Sequence, residues 1–294
     1  MTRLERRHLR NGLLFCLPWL VGFSVFLLYP LGASAYYSCC DYSVLLDPVF
    51  VGGDNYRELV RDELFWQSLW NTAYYAGFSV ALGLAVSLTL ALLLNARIRG
   101  LAWYRTLLYL PTLMPVVAAS VLWAWIYNGE SGILNSLLDA VGIRGPNWLA
   151  DPYWAKFAMV LMSVWGVGNA MVIYLAGLQD VPVEVQEAAV IDGANWLRRL
   201  WHITLPLISP VIYFNVILGI IGSLQVFTRA FIMTGATGEP ERSTLFYVLR
   251  LYNVAFSDLR MGYACAMAWV LFVIILALTL VLTRISRRWV HYER

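Results

Sequence analysis

Residues capable of acid–base or metal chemistry are few and scattered along this chain. The chain has 3 histidines, which are far apart in sequence: His8, His202 and His291. Its 4 cysteines show no metal-ligand spacing: Cys16, Cys39, Cys40 and Cys265. No phosphate-binding G-x-x-x-x-G-K-[ST] loop, G-x-S-x-G elbow or H-E-x-x-H pair occurs. The sequence therefore predicts that the chain is not an enzyme and binds neither a metal nor ATP by these devices.

The residues with the densest polar chemistry lie in one stretch, residues 184–210, which reads EVQEAAVIDGANWLRRLWHITLPLISP. It interrupts an apolar sequence and carries these charged or titratable side chains: Glu184, Glu187, Asp192, Arg198, Arg199 and His202. The residues alone are compatible with two interpretations. One is a docking element for another protein, and the other is an amphipathic connector that rests on lipid headgroups.

The local pattern of this stretch predicts two short helices. Pro182 suits a first helical turn, and Glu187 lies early in that helix, where the dipole favours negative charge. Gly193 can end the first helix and Asn195 can cap a second one. We expect Pro206 to begin the next apolar segment.

Neutral polar residues inside apolar runs form a second candidate site. They are Ser163, Asn169, Asn215, Ser223 and Gln225. Hydroxyl and amide groups both donate and accept hydrogen bonds, which suits a polyhydroxylated ligand, and Trp165 could stack on a sugar face. The alternative is that these side chains only bond neighbouring helices to one another.

The elements that position these residues are predicted from composition. The chain has 294 residues, of which 60% are hydrophobic and 13% charged, and its mean hydropathy is +0.65. A soluble domain carries about 25% charged residues, so an all-α integral membrane protein is predicted. Apolar runs long enough to span a bilayer occur at about Gly12–Ser34, Ser68–Leu94, Thr106–Tyr127, Trp154–Leu178, Leu207–Met233 and Tyr263–Ile285.

The orientation follows from the placement of basic residues. With both termini in the cytoplasm, the inner segments hold 13 of the 21 Lys and Arg residues, and the short loop Asn95–Arg105 is basic. Arg229 is assigned to the outer end of the fifth span, where snorkelling would carry its charge to the interface. A cleaved signal peptide is disfavoured, because the run from Gly12 to Tyr29 exceeds the usual 7–15 apolar residues.

One motif in the polar stretch resembles a known family. Glu187-Ala188-Ala189, Asp192-Gly193-Ala194 and Ile203-Thr204-Leu205-Pro206 are similar, in order and spacing, to the EAA motif of permease subunits in binding-protein-dependent ABC importers. In that family this loop is the coupling helix, which inserts into a groove on the ATP-hydrolysing subunit. The resemblance implies that these residues couple to an ATPase: Glu184, Glu187, Ala188, Ala189, Asp192, Gly193 and Ala194.

Other segments resemble the carbohydrate-type branch of the family, which includes maltose and glycerol-phosphate permeases. They include Leu69-Trp70-Asn71-Thr72, Tyr104-Arg105-Thr106, Ala176-Gly177-Leu178-Gln179 and Gly262-Tyr263-Ala264. The segment 234–240 departs from the T-x-G-G-P usual in that branch. Ser223 and Gln225 resemble positions that face the cavity of sugar permeases, so the implied substrate pathway comprises Ser163, Trp165, Asn169, Ser223 and Gln225.

The resemblance implies six transmembrane helices in the fold of type I ABC importers. It divides the chain into a cytoplasmic tail (1–11), a first span (12–34), an extracytoplasmic loop (35–67), a five-helix core (68–285) that contains the coupling loop 180–206, and a cytoplasmic tail (286–294). The expected location is the inner (plasma) membrane.

The implied function is ATP-driven import of a sugar or sugar-like solute. Implied partners are a second homologous permease, two ATP-binding subunits that hold ATP and magnesium, an extracytoplasmic solute-binding protein and the lipid bilayer; nucleic acid is not among them. A small polar solute such as glycerol phosphate is an alternative. A secondary carrier would need an intramembrane acid or an inverted repeat, and an intramembrane enzyme would need clustered histidines or acids; the sequence contains neither pattern.

Overall fold

The structure is a computed structural model that describes residues 3–96, 99–288 and 290. The expectations that concern Arg97, His291, Glu293 and Arg294 therefore lie outside the described residues. The chain divides into two compact units, one of Met1–Asp62 with Leu251–Phe272 and one of Glu63–Arg250 with Val273–Arg294.

The first unit contains a long N-terminal helix and a small ordered segment after it. Its elements are α1 (Arg3–Phe23), a π-helical turn (Ser24–Leu28), α2 (Tyr29–Tyr37), the antiparallel strands β1 (Cys40–Asp41) and β2 (Val49–Phe50), and α3 (Asp54–Arg61). The Asn55 amide donates to the carbonyls of Ser38 and Cys40, and Arg260 forms a bidentate ion pair with Glu58 at 2.8 and 2.6 Å. The segment 35–67, expected to be a loop, is therefore largely ordered.

The regular elements of the second unit are all helices or helical turns among the residues that the structure describes. Its elements are α4 (Glu63–Leu94), α5 (Leu101–Tyr109), a 3₁₀ turn (Leu110–Leu113), α6 (Val116–Ile126), α7 (Ile133–Ala140), α8 (Pro152–Trp165), α9 (Gly168–Gln179), α10 (Val183–Ile191), α11 (Trp196–Arg199), a π-helical turn (Leu200–Thr204), α12 (Leu205–Leu207), α13 (Ser209–Leu224) and α14 (Thr228–Thr234). The chain continues through α15 (Tyr247–Tyr252), a π-helical turn (Asn253–Ser257) and α16 (Met261–Ser286).

The six predicted spans are confirmed as candidate spans, but only three of them are uninterrupted helices. By length and composition, Arg10–Tyr37, Glu63–Leu94 and Met261–Ser286 can each cross a membrane. The other three are bent pairs: Leu101–Leu113 with Val116–Ile126 at 99°, Pro152–Trp165 with Gly168–Gln179 at 47°, and Trp196–Leu207 with Ser209–Leu224 at 67°. The expectation of continuous third, fourth and fifth helices was therefore wrong.

The bends follow from residues that cannot continue a helix or that permit close packing. Pro115 lacks the N–H that a helix would need and adopts ψ 135°, so the chain turns before α6. At the fourth span the break precedes Gly168, where an added Cβ would lie 2.7 Å from Thr112 Cγ2 and 2.8 Å from the Leu108 carbonyl oxygen. Only glycine allows α9 to approach the preceding helical pair this closely.

The fifth span differs most from expectation. Its second helix, α13, begins at Ser209, and Pro206 lies in the first helix of the bent pair, Trp196–Leu207, rather than at the start of the apolar helix. It ends at Leu224 rather than Met233, and residues 225–227 are not helical. Arg229 consequently belongs to the separate helix α14 and not to the end of the span. Non-helical backbone within a membrane segment is tolerated where it is buried in protein or lines a cavity.

Helix α4 is the centre of the second unit and packs against α8, α9 and α13. Near its start, two neighbouring polar side chains hold a distant segment. The Asn71 amide donates to the carbonyls of Arg242 (2.9 Å) and Leu245 (3.2 Å), and Thr72 Oγ1 accepts from the Tyr247 N–H at 2.8 Å. The Asn-Thr pair in the resembling segment 69–72 thus has a structural role.

Candidate functional site

A cavity with a mixed wall, mostly apolar but with several polar side chains, lies within the second unit, beside α4, α8, α9 and α13. Its volume is about 430 Å³, which falls within the range of roughly 300–1,000 Å³ typical of small-molecule sites. Helix α4 contributes a stripe of residues spaced four apart: Tyr75, Ser79, Gly83 and Ser87. Residues at this spacing lie on one helix face, so α4 presents a narrow polar and small-residue face to the cavity.

Three of the interruptions in the helices lie at this cavity. Val116 begins α6 after the proline bend, Val167 lies in the break between α8 and α9, and residues 225–227 form the break after α13; all of them line the cavity. Irregular backbone is tolerated in a membrane segment where it lines a cavity. The 67° bend between Leu207 and Ser209 lies elsewhere.

The polar side chains of the cavity differ in what they have left to offer a ligand. The hydroxyls of Ser163, Ser223 and Ser79 donate to carbonyls of their own helices at 2.6, 3.0 and 3.4 Å. They therefore present acceptor lone pairs. Gln225 is exposed, and its amide has no hydrogen-bond partner within the part of the chain that the structure describes. It can both donate to and accept from a ligand.

The structure brings together some of the residues proposed for the substrate pathway and separates others. Ser163, Asn215, Ser223 and Gln225 all line the cavity. Trp165 instead packs edge-to-face against Trp123, with ring centroids 5.9 Å apart. Asn169 lines a different pocket, together with Arg105 and Tyr109.

Tyr75, Tyr174 and Arg229 are among the cavity residues that were not predicted as site residues. Arg229 was noted in the sequence but assigned to an interface, whereas its Nη1 donates to Tyr75 Oη at 3.2 Å and it lines the cavity. The expectation that Arg229 belongs to the end of the fifth span was therefore wrong. The four-residue spacing of Ser79, Gly83 and Ser87 in an otherwise apolar helix was the sequence signal that could have identified the α4 face.

The polar stretch forms a helical hairpin: α10, a tight turn, and the helix Trp196–Leu207. Gly193 adopts φ +76°, its N–H bonds the Val190 carbonyl at 3.0 Å, and the Ala194 N–H bonds the Ala189 carbonyl at 2.9 Å. This pattern is a Schellman C-cap, which favours glycine at the left-handed position. Asn195 Oδ1 then accepts from the Arg198 N–H at 2.9 Å and caps the second helix, as predicted.

The outer surface of the hairpin is both acidic and apolar. Glu184, Glu187 and Asp192 are exposed, and none has an ion-pair or hydrogen-bond partner for its carboxylate among the described residues. The adjoining Ile191 and Trp196 are 86% and 62% exposed. Ala188 and Gly193 are also exposed, Ala194 is half-buried and Ala189 is buried. This surface is suited to contact with another surface, since large exposed apolar side chains next to unpaired charges are unusual on a water-facing helix.

No group of three or more histidine, cysteine or acidic residues that could hold a metal ion occurs among the described residues. Membrane-crossing helices that are broken around a cavity are typical of transport proteins. The exposed helical hairpin adds a surface for contact with a partner. Residues 83–291 match the family described as binding-protein-dependent transport system inner membrane component. The chain belongs to this family of membrane permeases.

Curated relatives match over nearly the whole chain. The probable ABC transporter permease protein YesP of Bacillus subtilis is 41% identical, with 99% of this chain and 95% of the relative covered. The lactose transport system permease protein LacF of Rhizobium radiobacter is 34% identical, with 95% of this chain and 94% of the relative covered.

The fold is that of a type I ABC importer permease. A crystal structure of a bacterial ABC transporter involved in the import of alginate contains a chain that matches with a TM-score of 0.84. The match covers 98% of this chain and 99% of that one at 23% identity.

Proposed function

We propose that this chain forms half of the translocation pathway of an ATP-driven importer for a sugar or sugar-like solute. The observation that carries the proposal is the cavity of about 430 Å³ at which three of the helix breaks lie. Hydroxyl and amide groups line it, and such groups bind a polyhydroxylated solute without requiring a counter-charge. The lactose permease among the relatives supports the same class of solute.

The hairpin is the proposed coupling element. Its acidic and apolar outer surface fits a groove on an ATP-hydrolysing partner, and its small residues allow close approach. The residues assigned to this contact are Glu184, Glu187, Ala188, Ala189, Asp192, Gly193 and Ala194. Gln186 Nε2 donates to Thr204 Oγ1 at 3.1 Å, which links the two helices of the hairpin. Because the second helix leads directly into α13, a push on the hairpin would reach the cavity wall.

The proposed assembly contains a second homologous permease, two ATP-binding subunits and an extracytoplasmic solute-binding protein. ATP and magnesium would be held by the ATP-binding subunits. Both termini and the hairpin would lie on the cytoplasmic side of the inner membrane, in keeping with the excess of arginine there. The mechanism would be alternating access, in which closure of the ATP-binding dimer moves the hairpins and reopens the cavity on the other side.

The test is uptake of radiolabelled sugars into proteoliposomes that contain the complete transporter, with the binding protein outside and ATP inside. We expect uptake that requires both ATP and the binding protein. The matched control carries a lysine-to-alanine change in the phosphate loop of the ATP-binding subunit, which should abolish uptake. Uptake that persists in this control, or that follows an ion gradient without ATP, would identify a secondary carrier and contradict the proposal.

A further inference from the structure

The cavity wall carries one positive charge, for which a neutral sugar supplies no counter-charge. Arg229 is the one charged side chain among the described residues that line it, and no aspartate or glutamate lines it alongside. Arg229 is half-buried, and an arginine that is partly withdrawn from water is normally paired with a carboxylate, because an unpaired charge in a low-dielectric site is costly. The charge of Arg229 therefore lacks a fixed counter-charge within the described cavity wall.

The Arg229 guanidinium contacts a buried side chain of the protein. The Arg229 guanidinium donates to Tyr75 Oη at 3.2 Å, and Tyr75 is only 2% exposed. The Tyr75 ring packs on Phe246 with centroids 5.2 Å apart, so the phenol is held in place. Residues 63–74 precede Tyr75 in α4, which is about 18 Å of helix. The guanidinium is thus held by a buried neutral partner at the cavity wall.

Most of the hydrogen-bonding capacity of this guanidinium is available. A guanidinium has about five N–H donors, and the Tyr75 phenol takes one of them. Gln225, four residues earlier in the chain, adds a second free donor to the same wall. The serine hydroxyls of the cavity donate to their own helices and offer acceptors instead. The part of the cavity around Arg229 is consequently rich in donors and positive.

We propose that Arg229 binds an anionic group of the transported sugar, so that the transporter carries acidic saccharides in preference to neutral ones. This inference rests on the proposed function and names its substrate class. The hydroxyls of a neutral sugar can accept hydrogen bonds from the guanidinium but leave its charge uncompensated, whereas an oxyanion accepts two parallel charge-assisted bonds and neutralises that charge. Tyr75 is a positioning residue, because it acts through Arg229.

The experiment uses the complete reconstituted transporter with its own binding protein. The probes are a digalacturonate, a sugar phosphate, a sugar sulfonate and a neutral digalactoside, each at a concentration that saturates the binding protein. These arms separate a carboxylate from a phosphate or a sulfonate as the recognised group. The variants are Arg229→Gln, Arg229→Lys and Tyr75→Phe, and Arg144→Gln is the matched control at an exposed position outside the cavity.

We expect Arg229→Gln to lower uptake of at least one anionic sugar by about tenfold to hundredfold, the range of a lost charge-assisted hydrogen bond. Arg229→Lys should retain most of that uptake because it keeps the charge, Tyr75→Phe should lie between them, and Arg144→Gln should match the wild type. Thermal unfolding of each purified complex shows whether a loss of uptake accompanies a loss of folding.

Three results would overturn the inference. In the first, the binding protein or the wild-type transporter accepts no anionic sugar. In the second, Arg229→Gln lowers the uptake of anionic and neutral sugars equally. In the third, Arg229→Gln and Arg229→Lys destabilise the complex equally and lose uptake together, which would make Arg229 structural. If neutral sugars are still taken up when one of these three results is found, the proposed function stands without the inference. ATP hydrolysis with no uptake of any sugar would contradict both the inference and the proposed function.

Discussion

At the scale of single residues, the polar side chains of the cavity are distinguished by which hydrogen-bonding groups remain free. A serine in a transmembrane helix commonly donates to the carbonyl one turn earlier, and Ser163 and Ser223 both do so. Gln225 lies just after the end of α13, and its side-chain amide bonds no residue within the described part of the chain. The sequence identified both kinds of residue as candidates, and the structure separates them by free donors.

The first prediction follows from this difference. Gln225→Leu removes a free amide from the cavity wall, so uptake of the transported sugar should fall about tenfold, the equivalent of roughly 1.5 kcal/mol of lost hydrogen bonding. Ser223→Ala removes a hydroxyl whose proton is already engaged by the Ile220 carbonyl, so it should change uptake by no more than about twofold. Equal uptake by both variants and the wild type would show that residues 223–225 do not contact the solute.

At the scale of elements, one buried threonine links α4 to the start of α15. Thr72 is 0% exposed, and its Oγ1 accepts from the Tyr247 N–H at 2.8 Å. Thr72→Val has a similar shape but removes this buried hydrogen bond, which should cost about 1–3 kcal/mol of folding free energy. The change should appear as a lower midpoint of thermal unfolding in detergent.

Thr89→Val is the matched control for this prediction, because Thr89 lies in the same helix, is exposed, and bonds only the Ala85 carbonyl. It should change the unfolding free energy by about 0.5 kcal/mol or less. If the two variants unfold at the same temperature, the hydrogen bond from Tyr247 does not hold this segment.

The elements also show how much of the fold can be predicted from the sequence. Hydropathy located all six candidate spans, because a run of about 20 apolar residues is needed to cross a bilayer whatever its local shape. It did not reveal the 99° bend before Val116 or the end of α13 at Leu224. A hydropathy window averages over such breaks, and proline and glycine are common in membrane helices without ending them. The turn at Gly193 was predictable, since a C-cap glycine followed by an N-cap asparagine depends only on local chemistry.

The limits of local sequence patterns also explain which cavity residues were predicted and which were missed. Ser223 and Gln225 were proposed from a resemblance, and both lie on the cavity wall. Arg229 was assigned to an interface, because the sequence alone continued the fifth helix through it. Its contact with Tyr75 joins residues 154 positions apart. A contact of that kind depends on how α4 packs, and local patterns do not specify packing.

At the scale of the whole molecule, the hairpin and the cavity lie within one unit. The hairpin is continuous with α13 through the 67° bend, and α13 carries Asn215 and Ser223 to the cavity. A displacement of the hairpin by a partner would therefore act on the cavity through one helix. We propose that this continuity couples ATP hydrolysis by a partner to solute movement, since the chain has no phosphate-binding loop of its own.

Gly193 provides the most direct test of this claim. A Cβ added at Gly193 meets no atom of this chain within 4 Å, and the φ of +76° is one that asparagine and aspartate adopt more readily than most residues. Gly193→Asn and Gly193→Asp are nearly the same size and differ in charge. The chain itself should accept either substitution, so a difference between the two variants reports on the surface that covers this face.

The measurement is ATP hydrolysis stimulated by the binding protein and sugar uptake, recorded side by side in the reconstituted complex. We expect Gly193→Asn to keep most of both activities. Gly193→Asp should lose most of both, because it would bury an unpaired charge at the contact with the ATP-binding subunit. Wild-type hydrolysis and uptake in the Gly193→Asp complex would contradict the assignment of this hairpin as the coupling element.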